Sequence, residues 1–220
     1  MNTVDVIAID GPVASGKGSV SSGVAKKLGF HVLDSGSLYR LTAYSALTQK
    51  ADLDDEAEIT RIAQSLKPVF KDGKIFLNEE DVTDAIRHEE VGLAASRIAV
   101  HTAVRSSLFE LQRNFAQAPG LVADGRDMGS VVFPEAVLKV FLTASAQSRA
   151  ERRIKQLKEK GISSNIDDLV RQIKERDERD MNRSAAPLVP ADGARILDSS
   201  DLTLDETISQ VLEWYREIRP

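Results

Sequence analysis

The chain opens on an apolar run, Val4–Ile9, with the length and continuity of a strand buried on both faces. A helix is predicted from about Lys17 to Leu28, with Gly29 as its stop. His31–Leu33 reads as a second strand ending at Asp34, Ser37–Gln49 as a helix, and Glu56–Ser65 as another after a polar link. Three further strands follow later: Leu121–Ala123 ending at Asp124, then Leu138–Leu142, then Ala194–Leu197. Between the last two, Ser145 caps a helix reaching about Lys160, Gly161–Ser164 breaks it, and Asp167–Met181 forms another. Ala185–Pro190 is a proline-bounded loop, and Leu204–Ile218 is a closing amphipathic helix. Strands alternating with helices predict an α/β fold, a parallel sheet of five strands covered on both faces.

One stretch breaks the alternation. Val69–Lys71 and Lys74–Leu77 flank Asp72-Gly73, a hairpin signal, and Asn78–Asp81 leads on to Val82-Thr83. This predicts a small antiparallel unit inserted in the parallel pattern. Helices over about Glu89–Ala99 and Ala103–Gln117 return the chain to the main sheet.

Composition narrows the chemistry. The 220 residues suit one domain with a small insert, and 42% hydrophobic content suffices for a core. With no Cys, disulfides, thiolate nucleophiles and Cys-based metal sites are excluded. The three histidines show no metal-binding spacing, and no Gly-x-Ser-x-Gly elbow is present. No apolar run approaches membrane-spanning length, and the first strand begins almost at once, so no targeting segment is expected. The expected setting is the cytoplasm. The net charge is −5, which argues against a nucleic-acid polymer as partner. Yet Arg149–Arg183 holds eleven Lys/Arg against eight Asp/Glu, a net of +3, leaving −8 elsewhere. A basic segment in an acidic chain points to a small polyanionic ligand, or else to solvated helices of mixed charge.

The densest chemistry lies at Gly11-Pro12-Val13-Ala14-Ser15-Gly16-Lys17-Gly18-Ser19. A strand feeding Gly-x-x-x-x-Gly-Lys and then a helix is a phosphate-cradling loop. Its backbone N–H groups turn onto one anion, the helix adds the positive end of its dipole, and Lys17 adds a full charge. The hydroxyl that usually follows the lysine is displaced by one residue, from Gly18 to Ser19.

In a parallel sheet, ligands bind beyond the carboxyl ends of the strands, where Asp10, Asp34 and Asp124 fall. The loop is therefore expected to face Ser35, Arg40, Arg126 and Asp127 across one crevice. Arg40, one turn into its helix, either forks onto a phosphate or is an ordinary surface arginine. Asp124-Gly125-Arg126-Asp127-Met128-Gly129 resembles the acidic strand end that orients magnesium in phosphate-loop enzymes. Arg176, Asp180 and Arg183 fall at i, i+4 and i+7, on one helical face that either binds a phosphate and a ribose or carries solvated ion pairs. Arg149, Arg152 and Arg153 share a face too, on a flap over the site or as a solvated basic stripe.

Taken together and in order, the loop, Asp34-Ser35-Gly36 with Tyr39-Arg40, Asp124–Gly129, and Lys174-Glu175-Arg176-Asp177 with Arg179-Asp180 and Asn182-Arg183 resemble the bacterial cytidylate kinases over nearly the whole chain. The shifted hydroxyl fits, because Gly-Lys-Gly-Ser/Thr is shared by other nucleoside monophosphate kinases. The resemblance implies a P-loop NTPase-type α/β fold and transfer of the γ-phosphoryl of ATP to CMP or dCMP with Mg2+. It divides a single kinase domain into a core (1–65, 96–151 and 166–220), a monophosphate-binding insert of about 66–95 and a lid of about 152–165. It implies that Gly11–Ser19 with Arg152 and Arg153 hold ATP, and that Ser19 and Asp124 meet the metal. Lys17, Arg126 and Arg183 would be catalytic. Arg40, Arg126 and Arg183 would hold the acceptor phosphate, Arg176 and Asp180 the ribose, and Ser35, Ser96, Arg105 and Asp127 the cytosine. A monomer acting on nucleotides, away from membranes, is expected. A kinase of UMP, dTMP or another small acceptor, and a non-catalytic nucleotide switch, are the alternatives; the switch lacks an Asn-Lys-x-Asp segment.

Overall fold

The computed structural model describes residues 4–71, 73–159, 161, 163–183 and 185–219. Asp72 of the expected hairpin turn, Lys160 at the expected end of a helix and Ile162 in the expected lid lie outside the described residues. The chain separates into two compact units. One holds the chain up to Leu33 and from Phe115 onward, and the other holds Asp34–Asn114.

The first unit is built on strands β1 (Asp5–Asp10), β2 (His31–Asp34), β6 (Gly120–Gly125), β7 (Leu138–Thr143) and β8 (Arg195–Asp198). They form a five-stranded parallel sheet in the order β2-β6-β1-β7-β8. β1 is central, with Ile7 opposite Val122 on one side and Leu138 on the other. That placement explains why its sequence is apolar on both faces: Ile7, Ala8 and Ile9 are fully buried. Helices α1 (Lys17–Leu28), α6 (Ala146–Glu159), α7 (Ile166–Asn182) and α8 (Leu204–Ile218) complete this unit. Val20 and Val24 of α1 and Val211 and Leu212 of α8 join Ile7, Ile9, Val122 and Val140 in one core. Each such side chain contributes about 1.5–3 kcal/mol by leaving water. A second, smaller apolar cluster joins α6 and α7, with Ala150, Leu169 and Ile173 at its centre and Val13 and Ala14 packed against it.

The second unit carries α2 (Ser35–Gln49), α3 (Glu56–Ser65), α4 (Glu89–Ile98) and α5 (Thr102–Arg113). It also holds a separate antiparallel sheet of β3 (Pro68–Lys71), β4 (Lys74–Leu77) and β5 (Glu80–Asp81). Val69 pairs with Phe76, as the two-residue turn predicts. The last strand of the unit falls at Glu80-Asp81.

Local chemistry sets the boundaries. α2 begins at Ser35, two residues earlier than its apolar pattern suggests, because the Asp34 side chain accepts the Ser37 N–H at 3.2 Å and so caps the helix. Asp55 caps α3 in the same way through Glu58. Thr203 and Glu206 form a reciprocal capping box on α8. Met128–Val132, to which the sequence pattern assigns no element, is a single wide helical turn in which Val132 N–H bonds to Asp127 O.

Candidate active site

The phosphate loop leaves β1 at Gly11, where a Cβ would collide with the Leu142 carbonyl on β7. Gly16 then turns the chain into α1 at φ 91°, a conformation that suits glycine. Lys17 is buried; its Nζ donates to Pro12 O at 3.1 Å and lies 3.9 Å from Asp124 Oδ1. Asp124, near the end of β6, is thus an acidic group beside the loop lysine, as its place in the sequence suggests. Ser15 Oγ is buried and finds no hydrogen-bond partner among the described residues. Gly18 and Ser19 are exposed in the first turn of α1. A Cβ at Gly18 would stand 3.4 Å from Asp124 Oδ2, so the first turn of α1 runs close past the buried carboxylate.

Asp10 has a role that the sequence did not reveal. Its two carboxylate oxygens accept the N–H groups of Met128 and Gly129, each at 2.8 Å. β1 therefore holds the loop that carries Arg126 and Asp127. Burial pushes the Asp10 carboxyl up to about 6, and the two backbone donors only partly offset this. The only sequence signal was an aspartate at a strand end.

Arg126 Nε donates to Asp180 Oδ2 of α7 at 2.8 Å. Burial disfavours both charges, but the partner and the neighbouring charges together prevail, holding Arg126 above and Asp180 below its ordinary range. Arg176 and Arg183 add to the field at Asp180. α7 ends at Asn182, so Arg183 is not on the expected helical face; it caps the helix in extended conformation, and its Nε donates to Ala186 O at 2.5 Å. The side chains of Arg176, Asp180 and Arg183 are nonetheless electrostatic neighbours. Asp127 is buried.

Arg149 departs furthest from the solvated stripe the sequence allowed. It is 5% exposed and pairs with Asp177 through two bonds of 3.0 and 2.5 Å. Arg152 donates to Ser15 O at 3.1 Å and to both Ser199 oxygens, so it touches the phosphate loop itself. Arg153 is half-buried on α6. Asp177 and Asp180 lie three apart on α7; the first meets the buried Arg149 and the second the half-buried Arg126, and that spacing was the available signal.

The second unit holds the remaining candidates. Ser35 is buried at the start of α2. Arg40 Nη1 donates to Ile86 O at 2.7 Å and His88 O at 3.3 Å. Gly92 makes this possible, because a Cβ there would stand 2.7 Å from Arg40 Nη2. Ser96 is half-buried on α4. Arg105 lies over the Tyr39 ring at 5.9 Å and reaches Ala99 O at 3.4 Å.

A strand, a glycine-bounded loop, a buried lysine and an acidic strand end on a parallel sheet define the phosphate-loop nucleotide-binding class. Within that class, the family model described as "Cytidylate kinase" matches residues 7–217, and the chain belongs to the cytidylate kinase family. A cytidylate kinase of Polynucleobacter asymbioticus is 56% identical over 216 residues, covering 98% of each chain. One from Ralstonia pickettii is 59% identical over 214 residues, covering 97% of this chain and 93% of that one. Among solved structures, an uncharacterized protein from Eubacterium ventriosum superposes with a TM-score of 0.53 at 9% identity, over 96% of this chain and 97% of that one, a likeness of fold alone.

Proposed function

We propose that this protein phosphorylates CMP and dCMP with ATP, by direct in-line transfer of the γ-phosphoryl group. Membership of the cytidylate kinase family supports the acceptor, and the phosphate loop supports the donor. The observation that carries the donor half is the loop's own preparation: Lys17 is buried between Pro12 O and Asp124, and the buried Ser15 hydroxyl of the same loop has no hydrogen-bond partner among the described residues.

The chemistry needs neither a covalent intermediate nor a strong base. Gly11–Ser19 hold the ATP phosphates, with Arg152 and Arg153 beside them. Lys17, Arg126 and Arg183 offset charge on the transferring phosphoryl group. Arg40, Arg126 and Arg183 grip the acceptor phosphate, and Arg176 and Asp180 address the ribose. Ser35, Ser96, Arg105 and Asp127 read the cytosine: a carboxylate suits its exocyclic amine, and an arginine suits its acceptors. Uracil reverses donor and acceptor at two of those atoms and leaves buried groups unpaired. The insert of about 66–95 and the lid of about 152–165 are the segments expected to move with the nucleotides.

The donor set fits magnesium held mainly by nucleotide. Among the described residues no cluster of three His, Cys, Asp or Glu could hold a metal alone. Magnesium needs only one or two protein oxygens when phosphates and water supply the rest, and Asp124, with Ser19, offers them. When bound, the ion would neutralise phosphate charge. Among the described residues no helix is long and apolar enough to cross a membrane. The cytoplasm, where nucleotides are at hand, is the setting this reading takes.

A coupled phosphotransfer assay over CMP, dCMP, UMP, dTMP and AMP tests this reading. CMP and dCMP should be preferred over UMP by on the order of a hundredfold in kcat/KM, the range of hydrogen-bond mismatches. Equal turnover of UMP or AMP would remove the acceptor assignment.

A further inference from the structure

Three carbonyls of the phosphate loop are each gripped by a cation. Lys17 holds Pro12 O, Arg149 holds Val13 O at 3.1 Å, and Arg152 holds Ser15 O at 3.1 Å. Between the last two lies Ala14, at φ 59°, a left-handed conformation that residues with a side chain avoid. Both arginines have further partners in this structure. Arg149 is fixed by Ala144 O at 2.9 Å and by both oxygens of Asp177, and Arg152 by Ser199, which is itself bonded to Thr143 O. The Val13 and Ala14 side chains also pack on the apolar cluster between α6 and α7.

A planar trans peptide points its N–H opposite to its carbonyl. Holding the carbonyls of Val13 and Ser15 toward α6 therefore turns the N–H groups of Ala14 and Gly16 the other way, into the loop. From this geometry we infer that Arg149, braced by Asp177, is a positioning residue for ATP. It touches no reacting atom; with Arg152 it keeps the strained Ala14 turn in the form whose amides meet the donor phosphates. The inference rests on the proposed role of the loop as the ATP site.

The test uses the full-length protein, 15N-labelled, titrated separately with ATP, tripolyphosphate and CMP. Arg149→Lys keeps the charge but cannot serve Asp177, Ala144 and Val13 together. It should weaken ATP and tripolyphosphate about tenfold, the worth of one charge-assisted hydrogen bond, with CMP affinity within about twofold of wild type. The Ala14 and Gly16 amide resonances should move in the free variant. Asp177→Asn, a milder change that retains Arg149, should weaken ATP about threefold and serves if the first variant does not fold. Unchanged ATP affinity in a folded Arg149→Lys protein overturns the inference alone. So does an equal loss of ATP and CMP affinity, which marks a residue that merely supports the fold. Wild-type protein that binds neither ATP nor tripolyphosphate overturns the phosphate-loop reading and this inference with it.

Discussion

Two arginine–aspartate pairs, one in each unit, show what burial does to the same chemistry. Arg149–Asp177 and Arg97–Asp54 are both two-bond clasps. The first has side chains 6% and 14% exposed, and the second 52% and 65%. In water a pair gains little, since solvent and salt screen it and two long side chains lose freedom. Out of water, neither charge has another partner of equal strength, so losing one strands the other. The buried clasp also ends on a loop carbonyl, Val13 O, so it transmits order to the site. The exposed clasp joins α4 to the turn ahead of α3.

The largest effect is expected at the buried pair. Asp177→Ala should lower the unfolding free energy by about 3 kcal/mol, as urea midpoints would report, and the loss should persist at high salt. A loss no greater than that of Asp54→Ala would abolish the contrast.

A buried carboxylate held by backbone N–H groups sharpens the comparison next. Asp10 is pushed up to about 6 from a usual 3.8, first by burial. The folded state therefore keeps the proton more tightly than the unfolded chain does. Its contribution to stability is fully present below about pH 4 and is lost as the pH rises toward 6. Measured against Asp10→Asn at each pH, wild type should lose on the order of 2–3 kcal/mol between pH 4 and 7. A difference that stays flat over that range counts against the burial argument. Asp180 has the opposite sign: clasped by Arg126 and held low, it stabilises above the ordinary carboxylate range, and that contribution fades in acid.

The smallest effect belongs to the exposed pair. Asp54→Ala should leave the melting temperature unchanged within experimental scatter, at low and high salt alike. A clear drop would mean that the surface clasp is more than decoration.

The comparison also marks what the sequence could carry. Periodicity placed β1, α1, α3 and α8 at their observed bounds to within a residue, because each has a continuous local cause: an apolar strand, a glycine stop, an amphipathic stripe. The phosphate loop and the Lys17–Asp124 neighbourhood were legible for the same reason, since the strand–loop–helix order fixes where their residues go. The burial of Arg149 was not. Its helix reads as basic and water-facing, and only tertiary contact with Asp177 and the loop carbonyl puts it indoors. Asp10 failed similarly: its partners are backbone N–H groups 118 and 119 residues away, and no side-chain pattern announces them. The wide turn at Met128–Val132 joins backbone bonds to Asp127 O and Met128 O with that same distant Asp10 carboxylate, a combination that no local pattern encodes.

Gly92 has no functional group, sits inside a helix where alanine is the better former, and looks replaceable. Yet the room it leaves is where the guanidinium of Arg40 rests. A single added carbon would alter an arginine 52 positions upstream without touching it in sequence. Across variants of this chain, residues 40 and 92 should therefore drift as one character: an arginine kept with a glycine, or both given up.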